Sequence, residues 1–257
     1  MLEGESPTMT AIRVGICSLL AFAVLTDGGV PDWSTAVLEI GAALLFVLWG
    51  FVTARQRQID VRPNWLYLPV LGLIALCLTQ KLFGLSVYPY ATKIELLKWI
   101  AYFALAFLAV ETFRTPEQSN RFAVFLLSFG FVVALFAIAQ HYIFNGKLYW
   151  FVPLPQSSEP FGPFVDRDTF RIFRNHYTTG TGLGTLETVF PQYETTYTGR
   201  VVDHAHNDYL ELLAETGVIG GLLGLAFIVL LFRQGFANLN ARERQSDRVF
   251  YAGALAA

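Results

Sequence analysis

Apolar residues in this chain come in blocks, each close to one bilayer in length. They run from Ala11 to Thr26, Thr35 to Ala54, Leu66 to Phe83, Leu96 to Phe113, Phe122 to Phe144 and Gly217 to Phe232. About 20 mostly apolar residues, rising about 1.5 Å each, cross a hydrocarbon core about 30 Å thick. The blocks therefore predict membrane-spanning helices. A further block begins at Val249 and stops at Ala257 in mid-pattern, which reads as a cut end. Acidic Glu3 and Glu5 precede the first block and no small-residue cleavage site follows it, so it reads as a span and not as a signal peptide.

Between the fifth and sixth blocks lies the one long polar stretch, Asn145 to Thr216. The order predicts three parts: a five-span region over 1–144, an extramembrane segment over 145–216, and a membrane region over 217–257. Pro153, Pro155, Pro160 and Pro163 stop any helix from running out of the fifth block. Short-loop arginines set the orientation. Arg55, Arg57 and Arg62 follow the second block, Arg114 and Arg121 flank the loop after the fourth, and Arg233, Arg242, Arg244 and Arg248 follow the sixth. Asp27 to Trp33 has no basic residue. The alternation predicts cytoplasmic basic loops and an outward-facing 145–216 segment. Trp33, Trp65, Tyr67, Tyr88, Tyr90, Tyr149 and Trp150 sit near block ends as an interfacial belt would.

Composition agrees with this pattern. The 257 residues are 54% hydrophobic and 15% charged, against about 25% charge in an ordinary soluble domain. A net charge of −2 provides no basic field for nucleic acid. Cys17 and Cys77 lie inside apolar blocks and read as small hydrophobes. The fold class expected is an all-α membrane protein, a polytopic helical bundle with one large outer segment.

The densest polar constellation runs from Asp203 to Gly220. It reads as a helix start with Asp203 as the cap. His206, Leu210, Leu213 and Gly217 then share one face, and Gly217 and Gly220 let another element pack closely. In a first helical turn the dipole disfavours imidazolium, which suits His206 as a general base; a nearby Asp203 carboxylate acts in the opposite direction. Two other readings stand beside this one. His204 and His206 with nearby carboxylates could hold a metal if His204 is not helical, or the pair could simply hydrogen-bond a loop.

Gly180-Thr181-Gly182-Leu183-Gly184-Thr185 is the second feature. It reads either as a turn giving close backbone approach or as a nest whose N–H groups, at Gly182 and Gly184, hold a phosphate. The third feature is Arg167, Arg171 and Arg174, with Arg200 further on. Arg171 and Arg174 share a helical face. Guanidinium forks match phosphate oxygens, although a solvated or headgroup-facing basic surface would have the same composition.

His206-Asn207, nine residues, then Gly217-Val218-Ile219-Gly220 resembles the signature of the O-antigen ligase family, which includes related polysaccharide polymerases and protein glycosyl ligases. Arg171-Ile172-Phe173 through the glycine loop to Phe190-Pro191-Gln192-Tyr193 resembles the segment preceding that signature. The resemblance covers roughly Asp168 to Leu231. It implies a GT-C-like membrane glycosyltransferase in a bacterial inner membrane, with its active site facing the periplasm. The donor it implies is a glycan on undecaprenyl diphosphate. The acceptor is a hydroxyl of lipid A–core, a growing polysaccharide or a protein. Neither a nucleotide sugar nor a metal or other cofactor is implied. The family histidine matches His206. Arg171 is the best match for a diphosphate-binding arginine, with Arg174, Arg167 and Arg200 weaker. In relatives, further spans follow a loop resembling Phe161 to Asp168, so this chain reads as internally shortened.

The mechanism expected has Arg171 and its neighbours offset charge on the leaving diphosphate while His206 takes the acceptor proton. Asn207 lines the site, and Asp203 or Asp208 orients the ring. A transporter for the same lipid-linked glycans is the first rival. It would need ionisable or polar residues within spans, for which Glu39 and Gln140 are the candidates. A metal-dependent membrane hydrolase using His204 and His206 is the second.

Overall fold

The computed structural model describes residues 6–26, 31–56, 60–143, 147–148, 152–153, 163–195, 202, 204–205 and 207–241. Helices dominate: α1 (Pro7–Leu25), α2 (Asp32–Gln56), α3 (Tyr67–Leu82), α4 (Pro89–Thr112), α5 (Pro116–Tyr142), α6 (Pro163–Asn175), α7 (Leu186–Val189) and α8 (Asp208–Ala241). Two-residue strands β1 (Lys147–Leu148) and β2 (Val152–Pro153) pair antiparallel. Phe190–Gln192 forms a 3-10 turn. Start signals are local. Pro7 and Pro116 occupy first-turn positions, where the missing N–H costs nothing. Thr115 and Gln118 cap α5 reciprocally, each side chain taking the other's backbone N–H.

Among the described residues, four helices are long and apolar enough to cross a membrane: α1, α2, Pro116–Gln140 of α5 and Asp208–Ala237 of α8. This is a helical membrane protein. The third and fourth blocks come out differently from the expectation of full spans. α3 is a shorter apolar helix. α4 starts at Pro89, seven positions ahead of the block at Leu96, because Lys93, Glu95 and Lys98 lie within its helical turns. The block from Val249 lies outside the described residues.

The chain forms two compact units, and they cut across the sequence-order division at 144 and 216. One contains Met1–Arg62 with Ile100–Ser158; the other contains Pro63–Trp99 with Glu159–Ala257. In the first unit, α1 and α2 pack through small residues. A Cβ on Gly15 would fall 2.7 Å from a Leu45 methyl, and one on Gly41 would fall 2.6 Å from a Leu19 methyl. Ile12, Ile16, Trp49 and Leu108 form one core; Leu38, Ala42, Ala101 and Leu105 form another. Trp49 meets Phe107 edge to face at 5.1 Å. A polar knot closes one end: buried Glu111 accepts the Arg62 N–H at 2.9 Å and pairs with Arg114, which also reaches Asp60 at 3.0 Å. Partial desolvation pulls Arg114 down, but the Glu111 and Asp60 carboxylates outweigh it and hold the guanidinium above its usual value.

The second unit is built from α3, the first half of α4, and α6 to α8. Leu73, Cys77, Leu96 and Leu183 make one core, and Gly72 admits Leu223 of α8. Ile172, Leu186, Val189, Phe190, Val202, Ala205 and Ala214 make the other, joining α6 and α7 to the start of α8.

Candidate functional site

The candidate site lies in the second unit, around a break in α8. Gly217 has φ 66° and ψ −166°, a conformation essentially restricted to glycine, so the helix stops at 216 and restarts at 218. In an unbroken helix the Val218 N–H would bond the Ala214 carbonyl. Here it goes to the Tyr177 carbonyl at 2.7 Å. The carbonyls of Ala214 and Glu215 are thereby released, and the glycine loop takes them: Thr181 N–H donates to Ala214 O at 3.1 Å and Gly182 N–H to Glu215 O at 2.9 Å. Irregular backbone within a membrane protein needs such internal partners. A Cβ at Gly217 would land on the Thr178 carbonyl, and one at Gly180 on the Glu215 backbone. Both glycines are required by close backbone approach.

Two buried polar side chains staple this junction. Gln80, fully buried on α3, donates from Nε2 to Thr179 O at 2.5 Å and to Glu215 O at 2.9 Å. Its Oε1 faces the Leu183 N–H at 3.4 Å. Glu215, 4% exposed, turns its carboxylate into the loop. Oε2 accepts the Gly184 N–H at 2.8 Å and Oε1 the Leu186 N–H at 2.9 Å. A buried carboxylate is tolerated only with such donors. Ser86 and Thr92 hydroxyls pair at 2.8 Å where Gly182 packs, and Thr181 pairs with Thr185 at 2.8 Å.

This geometry revises the expectation for the loop. Gly180, Gly182 and Gly184 all have positive φ, but their N–H groups do not converge on one anion: the Gly180 N–H goes to the His176 carbonyl, and only the Gly184 N–H meets a carboxylate, that of Glu215. The Gly182 N–H goes to the Glu215 carbonyl and the Gly184 N–H to its carboxylate, so neither is directed at a phosphate. The close-approach reading describes this loop. Glu215 and Gln80 were not singled out from the sequence, although a carboxylate and an amide at the edges of apolar blocks are the signal that finds them.

The start of α8 is also revised. The helix begins at Asp208, and its cap is Asn207, whose Oδ1 accepts the Leu210 N–H at 3.2 Å. The expected start at Asp203, with His206 in the first turn, lies five residues ahead of the observed one. Asp203, His206 and Arg200 lie outside the described residues. Asn207 and Asp208 are exposed. The face expected through Leu210, Leu213 and Gly217 ends at Thr216, because Gly217 is not helical.

His204 is exposed, and its Nδ1 lies 2.9 Å from Glu211 Oε1. The other oxygen of Glu211 accepts the Ala205 N–H at 2.8 Å. Glu211 thus ties the approach to α8 onto the helix itself. Among the described residues, no group of three or more His, Cys, Asp or Glu is close enough to hold a metal.

The arginines lie on α6. Arg167, Arg171 and Arg174 are all exposed at i, i+4 and i+7, while Asp168, Thr169 and Ile172 are buried. The three guanidinium groups therefore form one stripe. Asp168 anchors the helix, accepting the Thr195 N–H at 2.8 Å and its hydroxyl at 2.9 Å, and it lies 3.8 Å from Arg171. His176, just past α6, faces the Tyr193 hydroxyl at 3.4 Å. The opposite face of α6 carries Ile172 into the core that also holds Ala205 and Ala214.

Comparison of the chain with family models, curated proteins and solved structures finds no match in any of the three.

Proposed function

We propose that the chain is a membrane glycosyltransferase of O-antigen ligase type, acting on a glycan carried by undecaprenyl diphosphate at the periplasmic face of a bacterial inner membrane. The basic-loop alternation orients it so that the segment containing α6 and α7 faces outward. One observation carries the reading: Ile172 of α6 and Ala205 share an apolar core. The helix bearing the arginine stripe is thus packed against the backbone next to the signature His206-Asn207.

In this reading the acceptor hydroxyl oxygen attacks the anomeric carbon as the bond from that carbon to the diphosphate oxygen breaks. His206 takes the hydroxyl proton, and Arg171, with Arg174 and Arg167, balances charge on the departing diphosphate. A single displacement inverts the anomeric centre. The broken helix and its stapled loop belong to the same compact unit as α6. Their hydrogen bonds are satisfied internally, which suits positioning and leaves the charge work to α6.

The test is glycan transfer in membranes containing the full chain. His206→Ala is expected to lower transfer by about 10²–10⁴-fold, the usual contribution of a general base. Arg171→Ala is expected to weaken donor use more than acceptor use. Undiminished transfer by His206→Ala overturns the proposal.

A further inference from the structure

Glu211, in the first turn of α8, is tied to three residues that precede the helix. Its N–H donates to the Asn207 carbonyl at 2.9 Å. Its Oε2 accepts the Ala205 N–H at 2.8 Å, and its Oε1 lies 2.9 Å from His204 Nδ1. The first of these bonds belongs to any helix start, where the cap carbonyl takes the first N–H. The other two do not, because they bring residues ahead of the cap onto a side chain inside the helix. Ala205 is also held from its other side. It is 2% exposed and shares a core with Ile172 of α6 and Ala214 of α8. Asn207 is held by its own capping bond, Oδ1 to the Leu210 N–H at 3.2 Å. Both 205 and 207 are therefore pinned, and the one residue between them in sequence is His206. Consecutive Cα atoms stand about 3.8 Å apart across a trans peptide, so pinning both neighbours restricts the link that joins them.

We propose that Glu211 is a positioning residue for His206. It fixes the main chain on both sides of the base, through Ala205 and Asn207, and so sets where the imidazole stands relative to the arginine face of α6. The inference rests on the reading of His206 as the group that takes the acceptor proton. A base acts only within hydrogen-bond reach of that proton, and a displacement of about 1 Å can cost about 10²-fold in rate. Ile172 packs with Ala205 on one face of α6, while Arg171 and Arg174 are exposed on the other. The helix that carries the cations therefore backs the residue next to the base, and Glu211 closes the same frame from α8. Capping does not account for the Glu211 carboxylate, because the cap of α8 is Asn207 and its bond to Leu210 does not involve it. Direct contact with substrate does not account for it either, since both of its oxygens are engaged by residues of this chain.

The experiment supplies membranes containing the full chain with an oligosaccharide on undecaprenyl diphosphate and reads the undecaprenyl diphosphate released. Amide hydrogen exchange at Ala205 is followed in parallel on the purified full chain. Glu211→Ala leaves the Ala205 N–H without its acceptor, and exchange there is expected to quicken about tenfold. Its kcat is expected to fall about 10–10²-fold, with KM for the donor within about twofold, because the arginine stripe is untouched. Glu211→Gln keeps an oxygen for the Ala205 N–H and turns an N–H toward His204 Nδ1, which accepts in its other tautomer. It is expected to restore kcat to within about threefold of the native value. Added to His206→Ala, Glu211→Ala is expected to cause no further loss, since nothing remains to be positioned. A full additional loss in that double variant marks a structural role and overturns the proposal, as does unchanged exchange at Ala205 in Glu211→Ala. Native kcat in Glu211→Ala, with His206→Ala inactive, overturns the proposal and leaves the base assignment standing. Undiminished release by His206→Ala alone removes the base itself, and the proposal falls with it.

Discussion

In the unit built from α1, α2, α5 and the second half of α4, the helical segments keep their main-chain hydrogen bonds within themselves. They meet through side chains: Leu45 over Gly15, Leu19 over Gly41, Trp49 against Phe107. In the unit built around α8, main-chain groups are shared between segments far apart in sequence. The Glu215 carbonyl alone serves Gly182 and Gln80, the latter 135 positions away. Away from the knot of Arg62, Glu111, Arg114 and Asp60 at one end, the first arrangement needs only apolar surface of the right shape, and a lipid can supply the same contacts as a neighbouring helix. The second needs particular donors meeting particular acceptors where no water can substitute. Mutations should therefore have graded effects in the first unit and abrupt ones in the second.

The sharpest break in that contrast is at Gly217. Gly217→Ala adds a Cβ that points into the Thr178 carbonyl, at a backbone conformation that only glycine adopts freely. Strain of about 1–3 kcal/mol and overpacking of about 1–3 kcal/mol combine to about 4 kcal/mol of destabilisation. Reversible unfolding in detergent would measure it. The matched change in the other unit, Gly15→Ala, meets only the flexible end of Leu45 and should cost far less. If the two glycines proved equally tolerant, the distinction between the units would fail.

Glu215 gives the next largest effect. Glu215→Ala leaves the Gly184 and Leu186 N–H groups without acceptors inside the protein. At about 1–3 kcal/mol for each stranded donor, a loss of about 3 kcal/mol is expected. Glu215→Gln keeps one carbonyl oxygen and should fall between alanine and the native residue. Amide hydrogen exchange at 184 and 186 reads this directly: both protons should exchange faster in the alanine variant, and one of them in the glutamine variant. Unchanged protection at both positions would mean that the carboxylate does not hold the loop.

These two residues also show where sequence reading reaches its limit. Apolar blocks reveal helices because a span needs length and hydropathy, and both are local properties. The blocks of α1, α2, α5 and α8 survive in the structure for that reason. Gly217 is different. In Glu215-Thr216-Gly217-Val218 a glycine is compatible with a small-residue helix interface, and nothing nearby says that the helix stops there. The break becomes visible only when Tyr177 supplies a carbonyl from another segment. The glycine loop is ambiguous for the same reason: its positive φ values suit a phosphate nest, and the carboxylate that takes the Gly184 N–H is thirty-one positions away. The shared face of Arg171 and Arg174 is readable from their spacing, whereas the exposure of that face and the place of Arg167 on it come from how α6 packs. The start of α8 differs from the expected cap at Asp203 because Asn207, four residues on, is an equally sound capping residue and its Oδ1 takes the Leu210 N–H.

The smallest expected effect tests the quieter unit. Gly50 lies in the interior of α2, and a Cβ built there meets nothing within 4 Å. Its backbone is helical, so alanine introduces no strain. Gly50→Ala should stabilise the protein by about 0.5–1 kcal/mol, because glycine in a helix interior loses more conformational freedom on folding than alanine does. The same measurement that reads Gly217→Ala reads this variant, and the sign should reverse. A destabilising Gly50→Ala would mean that another surface closes on α2 at this point, and open space there would no longer separate it from the crowded glycines of α8. Opposite signs for two glycines in two apolar helices would show that what matters is whether another main chain approaches, since hydropathy assigns both positions to the same kind of helix.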